Sequence, residues 1–151
     1  MRNPLTIIRT LLAMAFVMLS LTQCRVAESP VAMGDVSIDG WTEPVTVSYK
    51  NVNPDALRDL NVTLHVNRRF KAQNLTLEIS TFTPDSLRYQ ESVTLPVKAQ
   101  WPNTKATTMD IALPYRRDVR FSHEGEYTMI LRPLQSIVGV EAAGINFEMK
   151  R

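Results

Sequence analysis

The chain has 151 residues, with 17 lysine and arginine side chains against 15 aspartate and glutamate, and it contains one cysteine. This length is enough for one domain with a substantial core, and a single cysteine excludes an intramolecular disulfide framework. The small positive excess comes from Arg2 and Arg9, so the rest of the chain is electrically balanced. Without a net basic field, nucleic acids and anionic lipid surfaces are excluded as electrostatic partners.

Residues 1–23 have the features of a lipoprotein signal peptide. Two arginines precede an uncharged apolar run of about 13 residues, whereas a membrane-spanning helix needs about 20. The run therefore predicts an export signal, with a transmembrane anchor as the alternative. It ends in LTQC, which is similar to a lipobox, and we predict lipidation of Cys24. An unused thiol is the alternative, and Gln23 replaces the small residue that usually precedes the cysteine.

The remainder predicts an all-β protein. Residues 24–40 have no sustained period and carry Pro, Gly and Asp, which predicts a lipidated tether that can hold one short pairing segment. From Trp41 onward apolar and polar residues alternate, as in strands with one buried face. The alternation predicts seven strands, with apolar residues at Val45/Val47/Tyr49, Val62/Leu64/Val66, Leu75/Leu77/Ile79, Val93/Leu95/Val97, Met109/Ile111/Leu113, Tyr127/Met129/Leu131 and Ile145/Phe147/Met149. Over residues 41–151 we predict a single antiparallel β-sandwich of seven to eight strands, immunoglobulin-like or jelly-roll-like.

The connections in the C-terminal third contain glycines. The polar stretch 114–125 predicts a connection that ends in a tight turn at Gly125. Tyr127 follows, and because its phenol needs a buried partner it can tie this loop to the sandwich end. Gly139 and Gly144 provide backbone freedom around the last loop, and residues 133–143 predict a loop or one helical turn.

The residue inventory does not favour an enzyme. His65 lies on the polar side of its strand, His123 lies in a turn, and no ligand set with metal-binding spacing occurs in the sequence. No serine or cysteine has the sequence context of an activated nucleophile. We therefore predict no catalytic, cofactor-binding or metal site and no small-molecule substrate. Ser86, in the sequence DSL, is a candidate O-glycosylation site because some bacteria attach glycans at similar short motifs in exported proteins.

A specific pattern of residues occupies positions 115–151, and the order of features before it is also informative. The pattern consists of Val119, Phe121, Gly125, Tyr127, Arg132, Leu134, Gly139, Val140, Gly144, Ile145 and Glu148. It resembles the gliding-motility lipoprotein family GldH of Bacteroidetes, which has a VxFPxxGxYxFxIxQxMR-like hairpin and a closing LxGVxDVGIRIE-like strand. The lipobox-like cysteine, the spacer, GWTEPVTVSYKN and NVTLHVNRR follow the family order. Ser122-His123 and Ala142-Ala143 depart from the family pattern.

The resemblance implies a membrane-anchored β-sandwich that supports the gliding and type IX secretion apparatus without enzymatic chemistry. Its partners would be other envelope lipoproteins of that machinery, bound through sheet faces or through edge strands by strand addition. The lipid on Cys24 would hold the protein to the outer membrane. The sequence RVAES after Cys24 lacks an acidic run of the kind found in surface-export signals, which favours a periplasm-facing position.

An exported ligand- or carbohydrate-binding sandwich is the alternative function. It would expose aromatic side chains for stacking on sugar rings. Trp41 and Trp101 lie in or beside predicted turns, and the alternation places Phe82 and Tyr89 on the polar side of their strands. These four residues are the candidates for such a surface.

Overall fold

A computed structural model describes residues 30–150, which form eight β-strands and, within that range, no helix. The strands are β1 (Val31–Asp35), β2 (Val45–Asn51), β3 (Leu57–Asn67), β4 (Asn74–Phe82), β5 (Arg88–Pro96), β6 (Thr108–Arg120), β7 (Gly125–Pro133) and β8 (Val140–Met149). The predicted signal peptide, the lipidation of Cys24 and the start of the predicted tether lie outside the described residues. No helix that could span a membrane occurs between residues 30 and 150.

The strands form two four-stranded antiparallel sheets. The first sheet has the order β1-β8-β3-β6 and the second sheet has the order β2-β7-β4-β5. The pairing is nested, because β4 pairs with β5, β3 with β6, β2 with β7 and β1 with β8. The chain is thus one long hairpin, rolled up so that β8 lies beside β3 and β7 lies beside β4. This is a jelly roll, which confirms the predicted antiparallel sandwich and selects one of its two predicted forms.

The seven predicted strands correspond to β2–β8, and the period of two is clearest in β2, where buried and exposed residues alternate along the whole strand. β1 lies within residues 24–40 and pairs with β8 from Val31 to Asp35. The predicted connection at 114–125 is wrong for its first half, because β6 continues to Arg120. β6 is an edge strand, where Pro114 is tolerated and most side chains are exposed, so the apolar alternation fades there.

The core lies between the two sheets and is closed at one end by Trp41. The indole is 1% exposed, and its backbone exchanges two hydrogen bonds with Ile137, at 2.9 and 3.2 Å, in the loop between β7 and β8. Its Nε1–H donates to the carbonyl of Glu43 at 2.8 Å. This end of the sandwich is therefore filled by a large apolar side chain whose polar atom is satisfied.

Two glycines near the last loop are required for different reasons. Gly139 has φ of 84°, and a Cβ there would lie 2.3 Å from the backbone nitrogen of Phe70, so the prediction of backbone freedom is confirmed. Gly144 does not have a positive φ. A Cβ at Gly144 would lie 1.9 Å from the carbonyl oxygen of Ala32, so this glycine allows β1 to approach β8 closely.

Candidate functional site

Polar side chains occupy inward-facing positions at one flank of the sandwich. β5 and β6 are the edge strands of the two sheets on this flank, and no strand pairing joins them within residues 30–150. In the β4–β5 register, Tyr89 and Glu91 share the inner face with Val93 and Leu95. The prediction that Tyr89 lies on the polar side of its strand is therefore wrong. Inward positions of a sandwich are normally apolar, so these two mark a place where the core is not filled.

A cavity of about 420 Å³ opens at this flank. Its deep walls are apolar and are formed by Leu60, Val119, Phe121 and Met129. Its rim carries Asp85, Leu87, Tyr89, Arg120 and His123. A cavity with these dimensions and an apolar interior can hold a small ligand or one large side chain of a protein partner.

A closed polar network fixes the carboxylate that lines the cavity. Arg116 donates from Nη2 to both oxygens of Glu91 at 2.7 Å and from Nε to Oε1 at 3.1 Å. The hydroxyl of Tyr115 donates to the same Oε1 atom. These charge-assisted bonds are directional, so the network links the edge of β5 to the edge of β6 across the open flank.

The network also sets the protonation states of its members. Burial alone would raise the pKa of Glu91, but the hydrogen bonds from Arg116 and Tyr115 outweigh burial and hold that pKa below its ordinary value. Burial, followed by the hydrogen bond to Glu91, raises the pKa of Tyr115 to about 12. Glu91 is therefore an ionised and fully engaged carboxylate, which is a poor general base.

The loop between β6 and β7, which forms part of the rim, is tied to the sandwich by two side chains. The buried Asn51 donates from Nδ2 to the carbonyls of Phe121 and His123, at 2.8 Å each. The backbone N–H of His123 donates to the hydroxyl of Tyr127 at 3.2 Å. This confirms the prediction that Tyr127 ties the loop to the sandwich end, whereas the role of Asn51 was not predicted.

A buried arginine lies behind the cavity wall. The side chain of Arg58 is fully buried, and its Nε–H donates to the hydroxyl of Tyr49 at 2.8 Å. Its two terminal nitrogens donate to the carbonyls of Ala56 and Asn53. The guanidinium also lies 5.4 Å from the ring centre of Tyr49 and 5.8 Å from that of Phe121, a cation–π arrangement. The guanidinium therefore interacts with the ring of Phe121, which lines the cavity.

Ser86 lies in the exposed turn between β4 and β5, beside the cavity rim, and has φ of 67°. The neighbouring hydroxyl of Thr83 donates to Asp85, and this bond lowers the pKa of the Asp85 carboxyl. The turn is thus accessible and internally hydrogen-bonded. The O-glycosylation of Ser86 stays a prediction.

Three of the four aromatic candidates for sugar stacking are buried or have an arginine guanidinium over one face of the ring. Trp41 is buried, the guanidinium of Arg68 lies 4.1 Å from the ring centre of Trp101, and that of Arg88 lies 5.4 Å from Phe82. Tyr89, at the cavity rim, is 59% exposed. Tyr89 is therefore the candidate whose ring is most exposed.

The two histidines lie apart and in different surroundings. His65 is on the outer face of the first sheet, with Nδ1 2.7 Å from Asp110 and Nε2 3.7 Å from Glu141. His123 is at the cavity rim, where its Nδ1 lies 3.3 Å from the hydroxyl of Ser122. Within residues 30–150, no group of three or more histidine, cysteine or acidic side chains is placed to hold a metal ion.

Comparison with known proteins identifies no relative: no protein-family model matches the chain, and no curated protein is similar enough to match it. The resemblance to GldH accordingly stays a prediction based on the residues quoted above. The functional argument that follows depends on the geometry of the cavity and its flank.

Proposed function

We propose that this protein is a non-enzymatic, membrane-anchored envelope lipoprotein, an accessory component of the gliding and type IX secretion apparatus as in GldH. It acts by binding a partner lipoprotein at the cavity. One observation carries the proposal: the core is left open at one flank, where inward-facing polar residues line a cavity and a hydrogen-bonded network around Glu91 spans from β5 to β6. A cavity that is apolar inside and polar at its rim has the anatomy of a protein-binding hot spot.

The chemistry of the lining supports binding over catalysis. Glu91 is neutralised by Arg116, and Asp85 accepts the hydroxyl of Thr83. His123 contacts a serine hydroxyl at 3.3 Å and interacts electrostatically with Asp85, and no hydrogen bond joins its ring to a carboxylate within the described residues. The rim therefore offers hydrogen-bonding and charged groups around an apolar interior, without an assembled acid–base pair.

The position of the tether supports a membrane-bound partner. The carbonyl of Pro30, where the described chain begins, accepts a hydrogen bond from the N–H of Phe147 at 2.6 Å, and Phe147 lies in the aromatic cluster behind the cavity. The chain thus enters the sandwich at the end that carries the cavity. With a lipid on Cys24, an extended linker reaches about 20 Å to Pro30, so the cavity would lie near the outer membrane on its periplasmic side.

The proposal is tested by placing a photo-crosslinking amino acid at Leu87 of the full chain in native cells. Leu87 is exposed at the cavity rim, and Leu134 is equally exposed in the loop between β7 and β8 at the opposite end. We expect crosslinks to other gliding or type IX secretion lipoproteins from position 87 and not from position 134. Recovery of only glycans or unrelated envelope proteins at position 87, or the same partners from both positions, would reject the proposal.

Carbohydrate binding is the second candidate function, and the exposed ring of Tyr89 beside the hydroxyls of Thr81 and Thr83 favours it. A glycan ligand would stack on this ring and bond to the hydroxyls. Tyr89→Ala should then abolish glycan binding by the full chain, and Tyr89→Phe should retain most of it. Glycan binding that is absent from the parent protein, or unaffected by Tyr89→Ala, would remove this candidate.

A further inference from the structure

β5 is the edge strand with the least protection in the part of the chain that the structure describes. It pairs with β4 over nine residues without a register shift, and no described strand pairs with its other edge. β6, across the flank, has two register shifts, a proline at position 114 and a left-handed residue, Asp118. β1 and β2 approach each other on the opposite flank more closely than β5 and β6 do here, where the contact is made mainly by Glu91 with Tyr115 and Arg116. Bulges, prolines and neighbouring strands normally prevent edge-to-edge pairing, and β5 has a proline only at its last position.

Two hydrogen bonds identify the backbone groups of β5 that face outward. At one end of the β4–β5 hairpin the N–H of Thr83 donates to the carbonyl of Leu87 at 3.0 Å. At the other end the N–H of Val97 donates to the carbonyl of Gln73 at 2.8 Å. Bonded and non-bonded pairs alternate in an antiparallel ladder, so the odd-numbered residues of β5 bond to β4. The outward groups are therefore those of the even-numbered residues: Arg88, Gln90, Ser92, Thr94 and Pro96.

We propose that the protein forms a dimer in which β5 pairs antiparallel with β5 of a second copy, centred on Ser92. In this register Ser92 lies opposite its own copy, Gln90 lies opposite Thr94, and Arg88 lies opposite Pro96. Every outward N–H then meets an outward carbonyl. Proline has no N–H to donate, but its carbonyl accepts the N–H of Arg88, so no donor of this edge is left unpaired. The two second sheets become one continuous sheet.

The side chains are compatible with this register. Glu91 lies opposite Val93, and the exposed ring of Tyr89 lies opposite Leu95 on the same face, where an aromatic–aliphatic cross-strand pair is favourable. A register centred on Glu91 would place two carboxylates opposite each other, which is unfavourable. A register centred on Val93 would leave the N–H of Arg88 beyond the ladder. The register centred on Ser92 therefore pairs every outward N–H and places no two carboxylates opposite each other.

The proposal is tested by introducing one cysteine at a time into the full chain and treating native membranes with mild oxidant or a short bis-maleimide. For Ser92→Cys the two Cα atoms would be about 5.5 Å apart, within the range of about 4.4–6.8 Å that a disulfide requires. For Gln90→Cys they would be about 14 Å apart, because each residue advances the strand by about 3.4 Å. The parent chain, whose one cysteine is Cys24, is the control for background crosslinking.

We expect covalent dimer from Ser92→Cys in at least about tenfold excess over Gln90→Cys, given this distance difference. A second variant, Ser92→Pro, removes the central outward N–H without removing a bond to β4. It should make the detergent-solubilised protein monomeric by light scattering, whereas Ser92→Ala should leave it dimeric. Equal crosslinking at positions 90 and 92, crosslinking of position 92 to a different protein, or a dimer that survives Ser92→Pro would overturn the proposal. If Ser92→Pro does not fold, the difference in covalent dimer between Ser92→Cys and Gln90→Cys tests the proposal.

Discussion

Replacing Tyr49 by phenylalanine should destabilise the fold by about 1.5–3 kcal/mol, the range for hydrogen bonds to charged groups. The hydroxyl that is lost accepts the Nε–H of Arg58 at 2.8 Å, and the arginine side chain is fully buried. No carboxylate within residues 30–150 forms an ion pair with this guanidinium. The substitution keeps the aromatic ring, which stacks on Phe147 with centroids 4.3 Å apart. The cost therefore comes from a charged donor left in the core without a partner.

Denaturant unfolding of the full chain, followed by tryptophan fluorescence, to which the buried Trp41 contributes, measures this cost. Tyr127→Phe is the matched control. Its hydroxyl accepts a neutral backbone N–H at 3.2 Å, so its loss should cost only about 0.5–1.5 kcal/mol. The decisive measurement repeats Tyr49→Phe in an Arg58→Met background, where no charged donor remains. There the loss of the hydroxyl should cost about 1–2 kcal/mol less than in the parent, and this difference is the coupling energy.

Additive effects of the two substitutions, within about 0.5 kcal/mol, would refute the reasoning. Additivity would mean that the contribution of the Tyr49 hydroxyl does not depend on the Arg58 guanidinium. A larger loss of unfolding free energy for Tyr127→Phe than for Tyr49→Phe would also contradict the argument, because the bond to a neutral donor would then contribute more than the bond to a charged one.

Three further predictions concern the anchor, the last loop and the cavity network. Cys24→Ala should move the protein from the membrane fraction to the soluble fraction, and its persistence in the outer membrane would contradict the lipid anchor. Gly139→Ala should cost about 2–4 kcal/mol in denaturant unfolding because of its positive φ and the backbone beside it. Gly40→Ala should cost less, since its added Cβ meets only a serine hydroxyl. The lowered pKa of Glu91 contributes stability above its ordinary value of 4.5, which is lost as the pH falls through the folded-state value. Glu91→Gln should flatten this acid limb of a plot of unfolding free energy against pH.

The sequence predicts the strands that have one buried face and misses the parts of the chain that do not. β2 alternates buried and exposed residues along its whole length, so its period is visible in the sequence. The second half of β6 is an edge with mainly exposed side chains, and β1 has only partly buried residues on its inner face. Neither can be separated from a loop by hydropathy. The choice between a jelly roll and an immunoglobulin-like sandwich depends on nested pairing between distant strands, which local patterns do not encode.

The candidate site was visible in the sequence only as an interruption of the alternation. Arg58 is in phase with Leu60 and Val62, and Glu91 is in phase with Val93, so both charged residues occupy positions that predict an apolar side chain. The sequence does not show which residues form hydrogen bonds with these two side chains. Tyr49 and Arg116 lie on other strands, and their hydrogen bonds depend on how the sheets face each other and on a register shift in β6. A period-two argument cannot supply that information.

Both interruptions lie at the same end of the sandwich, and this arrangement explains why a cavity persists there. At the opposite end Trp41 fills the space between the sheets. Here Arg58 is held by a hydroxyl and two carbonyls, and Glu91 is held by Arg116 and Tyr115. Moving Arg58 would leave a buried charge without its hydrogen-bond acceptors, and moving Glu91 would break its bonds to Arg116 and Tyr115, so neither side chain shifts readily to fill the void. The flank therefore stays open, and a partner of the kind proposed above would meet a cavity that is already formed, which is how preorganised sites lower the cost of binding.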